Sequence, residues 1–145
     1  MKNFSVVILA AGVGTRMLSS LPKVMHKLSG KPLVKWVVDS VSVLKPDNVV
    51  VVLGYDSEVV KKYLSKSNIK FVYQKEQRGS AHAVMQAEKD FKNYNGDILV
   101  ISGDVPLVNT STLLSLIKSN KKTRSAVTVL AAEVKDPFGY GRIIK

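Results

Sequence analysis

The chain has no cysteine, which excludes a disulfide framework and any thiolate metal site. No apolar run approaches the roughly 18 residues that a spanning helix needs. Lys2 followed by Phe4 to Ala11 imitates the start of a signal peptide, but that short run enters a glycine-bearing loop rather than a cleavage site. Acidic residues are few, 11 against 22 Lys and Arg, leaving a net charge of +11. A basic excess suggests nucleic acid or an anionic surface. Here the lysines are dispersed, and the densest cluster, Lys121-Lys122-Thr123-Arg124, has no interleaved aromatics on which bases would stack. The excess therefore reads as solvated surface, with neither nucleic acid nor membrane expected as a partner. A cytoplasmic protein is the natural reading.

What is present is ordinary globular material: 145 residues, 46% hydrophobic and 23% charged, enough for one domain with a real core. No internal repeat, low-complexity tract or linker interrupts it. Short continuous apolar runs, expected of strands covered on both faces, occur at Val6–Leu9, Val49–Leu53, Ile69–Tyr73, Ile98–Ile101 and Ala126–Ala132. Helical spacing falls between them. Pro32 opens a helix carrying Leu33, Val34, Val37, Val38, Val41 and Leu44, which Pro46 stops. Ser57 is expected to cap a second helix, and Ser80 a third that reaches Phe91. A fourth is expected from about Ser111 to Lys118. This alternation predicts an α/β fold, a Rossmann-like, mostly parallel sheet with helices on both faces. Ligands of such sheets bind at the carboxyl ends of the strands.

The first strand runs directly into Ala10-Ala11-Gly12-Val13-Gly14-Thr15-Arg16-Met17. Side chains shrink and then vanish, which lets a ligand approach the backbone. Arg16 supplies a guanidinium fork suited to phosphate oxygens, and Lys23 adds a second cation after Leu21-Pro22. A dinucleotide fingerprint would need a third glycine where Met17 stands, and a Walker A loop would need Gly-Lys-Ser/Thr. Neither motif fits.

Leu9-Ala10-Ala11-Gly12-x-Gly14-Thr15-Arg16-Met17, followed by Pro22-Lys23-Val24, resembles the signature loop of the sugar-1-phosphate nucleotidyltransferases. Gln74-Lys75-Glu76-Gln77-Arg78-Gly79-Ser80-Ala81-His82-Ala83 is a longer match. It resembles the Gln-x-x-Gln-x-Gly-Thr/Ser-x-His-Ala segment of the N-acetylglucosamine-1-phosphate uridyltransferases. Glutamine amides carry both donors and acceptors and so can read a pyrimidine edge. Ser80 is expected to begin a helix whose free N–H groups attract anions. His82 reads as a packed or surface helix residue rather than a base.

Ser102-Gly103-Asp104-Val105-Pro106-Leu107 resembles the family's Gly-Asp-x-Pro-Leu motif, although family members commonly carry an aromatic or apolar residue where Ser102 stands. A carboxylate just past a buried strand suits Mg²⁺ held against phosphate oxygens. By itself it also suits a turn cap before Pro106. Gly139-Tyr140-Gly141-Arg142-Ile143 matches the family's sugar-contacting stretch, and is equally a glycine-rich turn when taken alone.

The resemblance spans essentially the whole chain, with its segments in the family's order. It implies uridylyl transfer from UTP to N-acetylglucosamine 1-phosphate, giving UDP-N-acetylglucosamine and pyrophosphate. On that basis Leu9, Ala10, Ala11 and Gly12 border the substrate, and Arg16 and Lys23 meet the triphosphate. Asp104 takes Mg²⁺; Gln74, Gly79 and Ser80 take the uracil; Ser102 and Gly103 lie on the ribose side; Gly141 touches the sugar. Residues 1–145 then form the front part of a nucleotidyltransferase domain. The family's later sugar contacts, second metal ligand and left-handed β-helix acetyltransferase domain are not in this sequence. A monomer with weak nucleotide binding and poor turnover is therefore expected, since the family's trimer rests on that β-helix. Other sugar-1-phosphate nucleotidyltransferases of this fold, and a non-catalytic nucleotide-binding module, remain alternatives.

Overall fold

The computed structural model describes residues 3–141 and 143, apart from 13, 15, 16, 55 and 56. At its centre is β1, Phe4–Ala10, whose Val6, Val7 and Ile8 are wholly buried. On one side β1 pairs in parallel with β4 (Val49–Leu53), from Val6 opposite Val49 to Ala10 opposite Leu53. On the other it pairs in parallel with β6 (Asp97–Ser102), from Phe4 opposite Asp97 to Leu9 opposite Ser102. The strand β5 (Lys70–Tyr73) completes the sheet beside β4, giving the order β5-β4-β1-β6. Strand order therefore reverses between β1 and β6, and that crevice is the switch point where a parallel sheet binds its ligand.

Alternation along the strands loads both faces. Phe4, Val6, Ile8 and Ala10 share a core with Val34, Val37, Val38 and Val41 of α1 (Leu33–Ser42), Val60 and Leu64 of α2 (Glu58–Leu64), and Leu113 and Ile117 of α5 (Thr110–Thr123). On the opposite face Val7, Ala11, Val50 and Val52 pack on Ala83, in α3 (Ser80–Met85), and on Ala87 just beyond it. Helices thus cover both faces, as the continuous apolar strands require.

Several elements differ from expectation. A small hairpin, β2 (Lys27–Leu28) with β3 (Lys31–Pro32), turns through Ser29 and Gly30, both at positive φ. Two positive-φ residues are the signature of a tight hairpin turn. Trp36 Nε1 donates to Leu28 O at 3.0 Å and fastens the hairpin to α1. Pro32 therefore ends a strand while standing just before α1. The helix expected over 80–91 breaks: Gln86 and Ala87 bond back only three residues, to Ala83 O and Val84 O, before α4 (Glu88–Phe91) begins. Ser80 is not the cap, since Gly79 holds that place and Ser80 is the first helical residue. Ser57 stands before α2, but its hydroxyl donates backwards to Gly54 O instead of accepting from the helix. Helix α5 is longer than expected, running on to Thr123, and Asn109 caps its start, its side chain accepting from Thr112 N at 2.8 Å.

The largest correction concerns Ala126–Ala132, which forms no strand. A strand needs a ladder partner, and the free edge here is β6. Between β6 and residues 125–128 lies a cavity of about 510 Å³ lined by Phe4, Ile98, Val100 and Leu116. Val127 consequently stays 76% exposed.

We expect Ile8→Ala to lower the unfolding free energy by about 2–5 kcal/mol, the cost of a cavity in a tight core. Val127→Ala should change it by less than about 0.5 kcal/mol. Urea denaturation measures both, and equal losses would contradict this assignment of the core.

Candidate active site

Two loops meet at the crevice between β1 and β6. The first leaves β1 at Ala10 and Ala11, both buried, and continues to the exposed Gly12. It returns through Gly14, whose carbonyl accepts from Met17 N at 2.8 Å. Gly14 has φ +64°, and a side chain there would place its Cβ 2.7 Å from that of Lys23. The glycine is what allows Lys23 to pack onto the loop. Pro22 then leads into a single 3-10 turn, Lys23–Met25, in which Val24 and Met25 are buried. Those two apolar anchors leave the lysine at the surface.

The second loop leaves β6 at Ser102. Gly103 N donates to Leu9 O at 2.8 Å, tying it to the end of β1. Asp104 follows, and its Oδ2 accepts an ion pair from Lys23 Nζ. Its Oδ1 accepts from the Ser102 hydroxyl at 2.5 Å. Burial alone pushes the Asp104 carboxyl up, but bonds from Lys23 and Ser102, with the charge of Lys23, outweigh it and hold the carboxyl below its ordinary value. The result is an ionised carboxylate and a cation facing one another across the switch point.

A third loop closes the site from the β4–β5 side. Gln74 N bonds Leu53 O at 2.8 Å, extending the sheet by one residue. The Gln74 side chain is nearly buried, and its Nε2 donates to Gly79 O at 3.1 Å. That same nitrogen is 3.0 Å from His82 Nδ1. Gln77 reaches across and donates to Ala11 O at 3.0 Å. Gly79 turns the loop into α3 at φ 92° and ψ −179°, a conformation open to glycine almost alone.

The structure thus brings together Leu9, Ala10, Ala11, Gly12, Lys23, Gln74, Gly79, Ser80, Ser102, Gly103 and Asp104 at one sheet edge. Arg16 lies outside the described residues. Gly141 does not join them: it sits in an exposed tail, and no hydrogen bond among the described residues ties it to the site. The expected strand at 126–132 would have delivered that tail, and it is absent. Two residues have a place here that the sequence did not assign them: Gln77, quoted only as part of the motif, joins two loops, and His82, read as a packed or surface helix residue, lies beside Gln74. Residue order could not reveal the turn at Gly79 that brings Gln74 beside His82.

No group of three or more His, Cys, Asp or Glu among the described residues could hold a metal. Asp104 nonetheless fits a magnesium ion that takes one protein carboxylate and completes its shell with phosphate oxygens and water. Its pKa is held below the ordinary carboxylate value, and its Oδ2 is paired with Lys23.

Residues 6–143 match the model of the MobA-like NTP transferase domain. The chain belongs to that family. It is 46% identical over 145 residues to the bifunctional protein GlmU of Thermoanaerobacter pseudethanolicus, a match covering 100% of this chain and 31% of that protein. It is 44% identical over 142 residues to bifunctional protein GlmU of Synechococcus sp., covering 98% and 23% respectively. The chain therefore spans less than a third of these curated relatives. Among solved structures, UDP-glucose pyrophosphorylase complexed with UDP-glucose aligns with a TM-score of 0.70 at 23% identity, over 86% of this chain and 55% of that one. That likeness bears on the fold, and it agrees with the parallel sheet read from the sequence. The family resemblance carried by residues 9–24 and 74–83 holds. Among the described residues no helix is long and apolar enough to cross a membrane.

Lys23→Ala should raise the Asp104 pKa, because the burial cost stays while the largest favourable partner goes. A group held below its ordinary value of 3.8 stabilises the fold fully above that value and loses this contribution as pH falls through the lowered one. Carbon-detected NMR titration of the carboxyl group should therefore show a higher midpoint in the variant. An unchanged midpoint would contradict the pairing.

Proposed function

We propose that this site transfers a uridylyl group from UTP to N-acetylglucosamine 1-phosphate, releasing pyrophosphate and UDP-N-acetylglucosamine. The observation that carries the reading is the Lys23–Asp104 pair, set across the crevice between β1 and β6 with small residues on both flanks. Similarity to proteins named bifunctional protein GlmU supports it, as does the glutamine-bearing loop beside the crevice.

In this reading a phosphate oxygen of the sugar phosphate attacks the α-phosphorus of UTP, and the bond to the β-phosphate bridging oxygen breaks in line. No enzyme nucleophile takes part; positioning and charge neutralisation supply the rate. Lys23 and Arg16 offset the charge that gathers on the triphosphate and on departing pyrophosphate. The backbone of Ala10, Ala11 and Gly12 makes room for the phosphates, with Leu9 beneath. Gln74, Gly79 and Ser80 hold the uracil, Ser102 and Gly103 border the ribose, and Gly141 belongs to the sugar side once the tail folds over. Magnesium held by Asp104 would screen the phosphate oxygens. The substrates place the activity in the cytoplasm, in the supply of activated amino sugar for cell-wall precursors.

Residues 1–145 act here as the front part of a nucleotidyltransferase domain, monomeric as an isolated chain. Calorimetric titration with UDP-N-acetylglucosamine and Mg²⁺, against UDP-glucose and CTP, tests the reading. Binding should be selective for the first ligand, and Asp104→Ala should weaken it about tenfold or more by removing a charge-assisted partner. Equal binding of CTP, or no effect at Asp104, would contradict it.

A further inference from the structure

The two oxygens of Asp104 are held by groups of different origin. Lys23 Nζ, from the turn that follows the β1 loop, pairs with Oδ2. The Ser102 hydroxyl, at the last position of β6, donates to Oδ1 at 2.5 Å. That length is the short one expected of a hydroxyl on a carboxylate. Among the described residues no other side chain bonds the Asp104 carboxylate. Burial pushes the carboxyl up, and Lys23, then Ser102, hold it down.

The residue between them sets the spacing. Gly103 N donates to Leu9 O at 2.8 Å. A Cβ on Gly103 would stand 3.0 Å from Leu9 O and 3.3 Å from Val24 Cγ1, so its backbone is pressed between the end of β1 and the turn that carries Lys23. Ser102 itself is still in the ladder, opposite Leu9. Hydroxyl and carboxylate therefore hang from the sheet, and their bond is set by its frame. Along β6 the side chain of Ser102 falls on the same exposed side as Ile98 and Val100, where it fills no core space.

We propose that Ser102 is a positioning residue: by holding Oδ1 it presents Asp104 to a cation through Oδ2 alone, and so makes the site favour magnesium over calcium. This rests on Asp104 as the cation ligand of the proposed nucleotidyl transfer. Magnesium is octahedral, keeps several waters and is served by a single carboxylate oxygen. Calcium gathers about six to eight oxygens and gains from both oxygens of one carboxylate. Turning Asp104 to chelate through both would stretch a bond anchored on the sheet, a cost that falls on calcium alone.

The test is calorimetric affinity of the whole chain for UTP with saturating Mg²⁺ and with saturating Ca²⁺. It compares the parent with Ser102→Ala, Ser102→Thr and Asp104→Asn, with a thermal transition recorded for each. The parent should bind the magnesium complex more tightly. Ser102→Ala should reduce that preference about fivefold, as loss of one hydrogen bond to a charged group allows. Ser102→Thr, which keeps the hydroxyl, should hold it to within about twofold, and Asp104→Asn should abolish it. An undiminished preference in Ser102→Ala would overturn the proposal and leave the nucleotide reading standing. So would equal losses in Ser102→Ala and Ser102→Thr, which would assign the position to packing, or a parent that binds both complexes alike. A parent that binds neither complex would overturn the functional reading and this inference together.

Discussion

Lys23 and Asp104 come from loops that leave β1 and β6, and their ion pair spans the one place where the order of the sheet reverses. Everything near it is arranged to keep both groups there without burying them. Val24 and Met25 root the lysine's turn in the core, and Gly14 gives up its side chain so that the turn can approach. Gly103 ties the carboxylate's loop to Leu9 O. A pair of this exposure adds little to stability, since surface ion pairs contribute about 0–1 kcal/mol. Its worth lies in keeping two opposite charges ready at a sheet edge where phosphates and a cation can replace each partner for the other.

The central part of the fold was legible in the sequence because it obeys simple rules. Val49–Leu53 is apolar at every position, and only a strand covered on both faces needs that. The loops at 9–23, 74–83 and 102–107 were legible for a similar reason: loss of side chains, followed by charge or amide, at the end of a buried strand. What could not be read were features set by tertiary partners. Ala126–Ala132 has every local mark of a strand, yet a strand is a relation between two chains, and β6 stands across a cavity from it. Gly141 was lost to the site for the same reason, since its delivery depended on that strand. The break at Gln86 and Ala87 escapes periodicity because both halves keep helical spacing.

The glutamine loop shows how a sequence match and a geometry inform one another. The match gave Gln74 and Gly79 a role without saying how the amide was oriented. The geometry shows its Nε2 donating to Gly79 O and lying beside His82 Nδ1. Gln77, equal to Gln74 in composition, does different work by joining the loop to Ala11 O. Residue type was visible in both cases; which partners each amide takes within the protein was not. The dispersed positive charge follows the same logic, since several lysines are engaged locally, Lys31 and Lys35 with Asp39 and Lys70 with Asp90.

The most direct test of the account is amide chemical-shift mapping of the chain with UTP and Mg²⁺. The account predicts shifts that converge on residues 9–12, Gly14, Lys23, Gln74, Gly79 and 102–104, three loops far apart in sequence and together at one edge of the sheet. Shifts confined to the opposite edge, around Asp47, Asn68 and Lys70, would contradict it and remove the crevice between β1 and β6 as the nucleotide site.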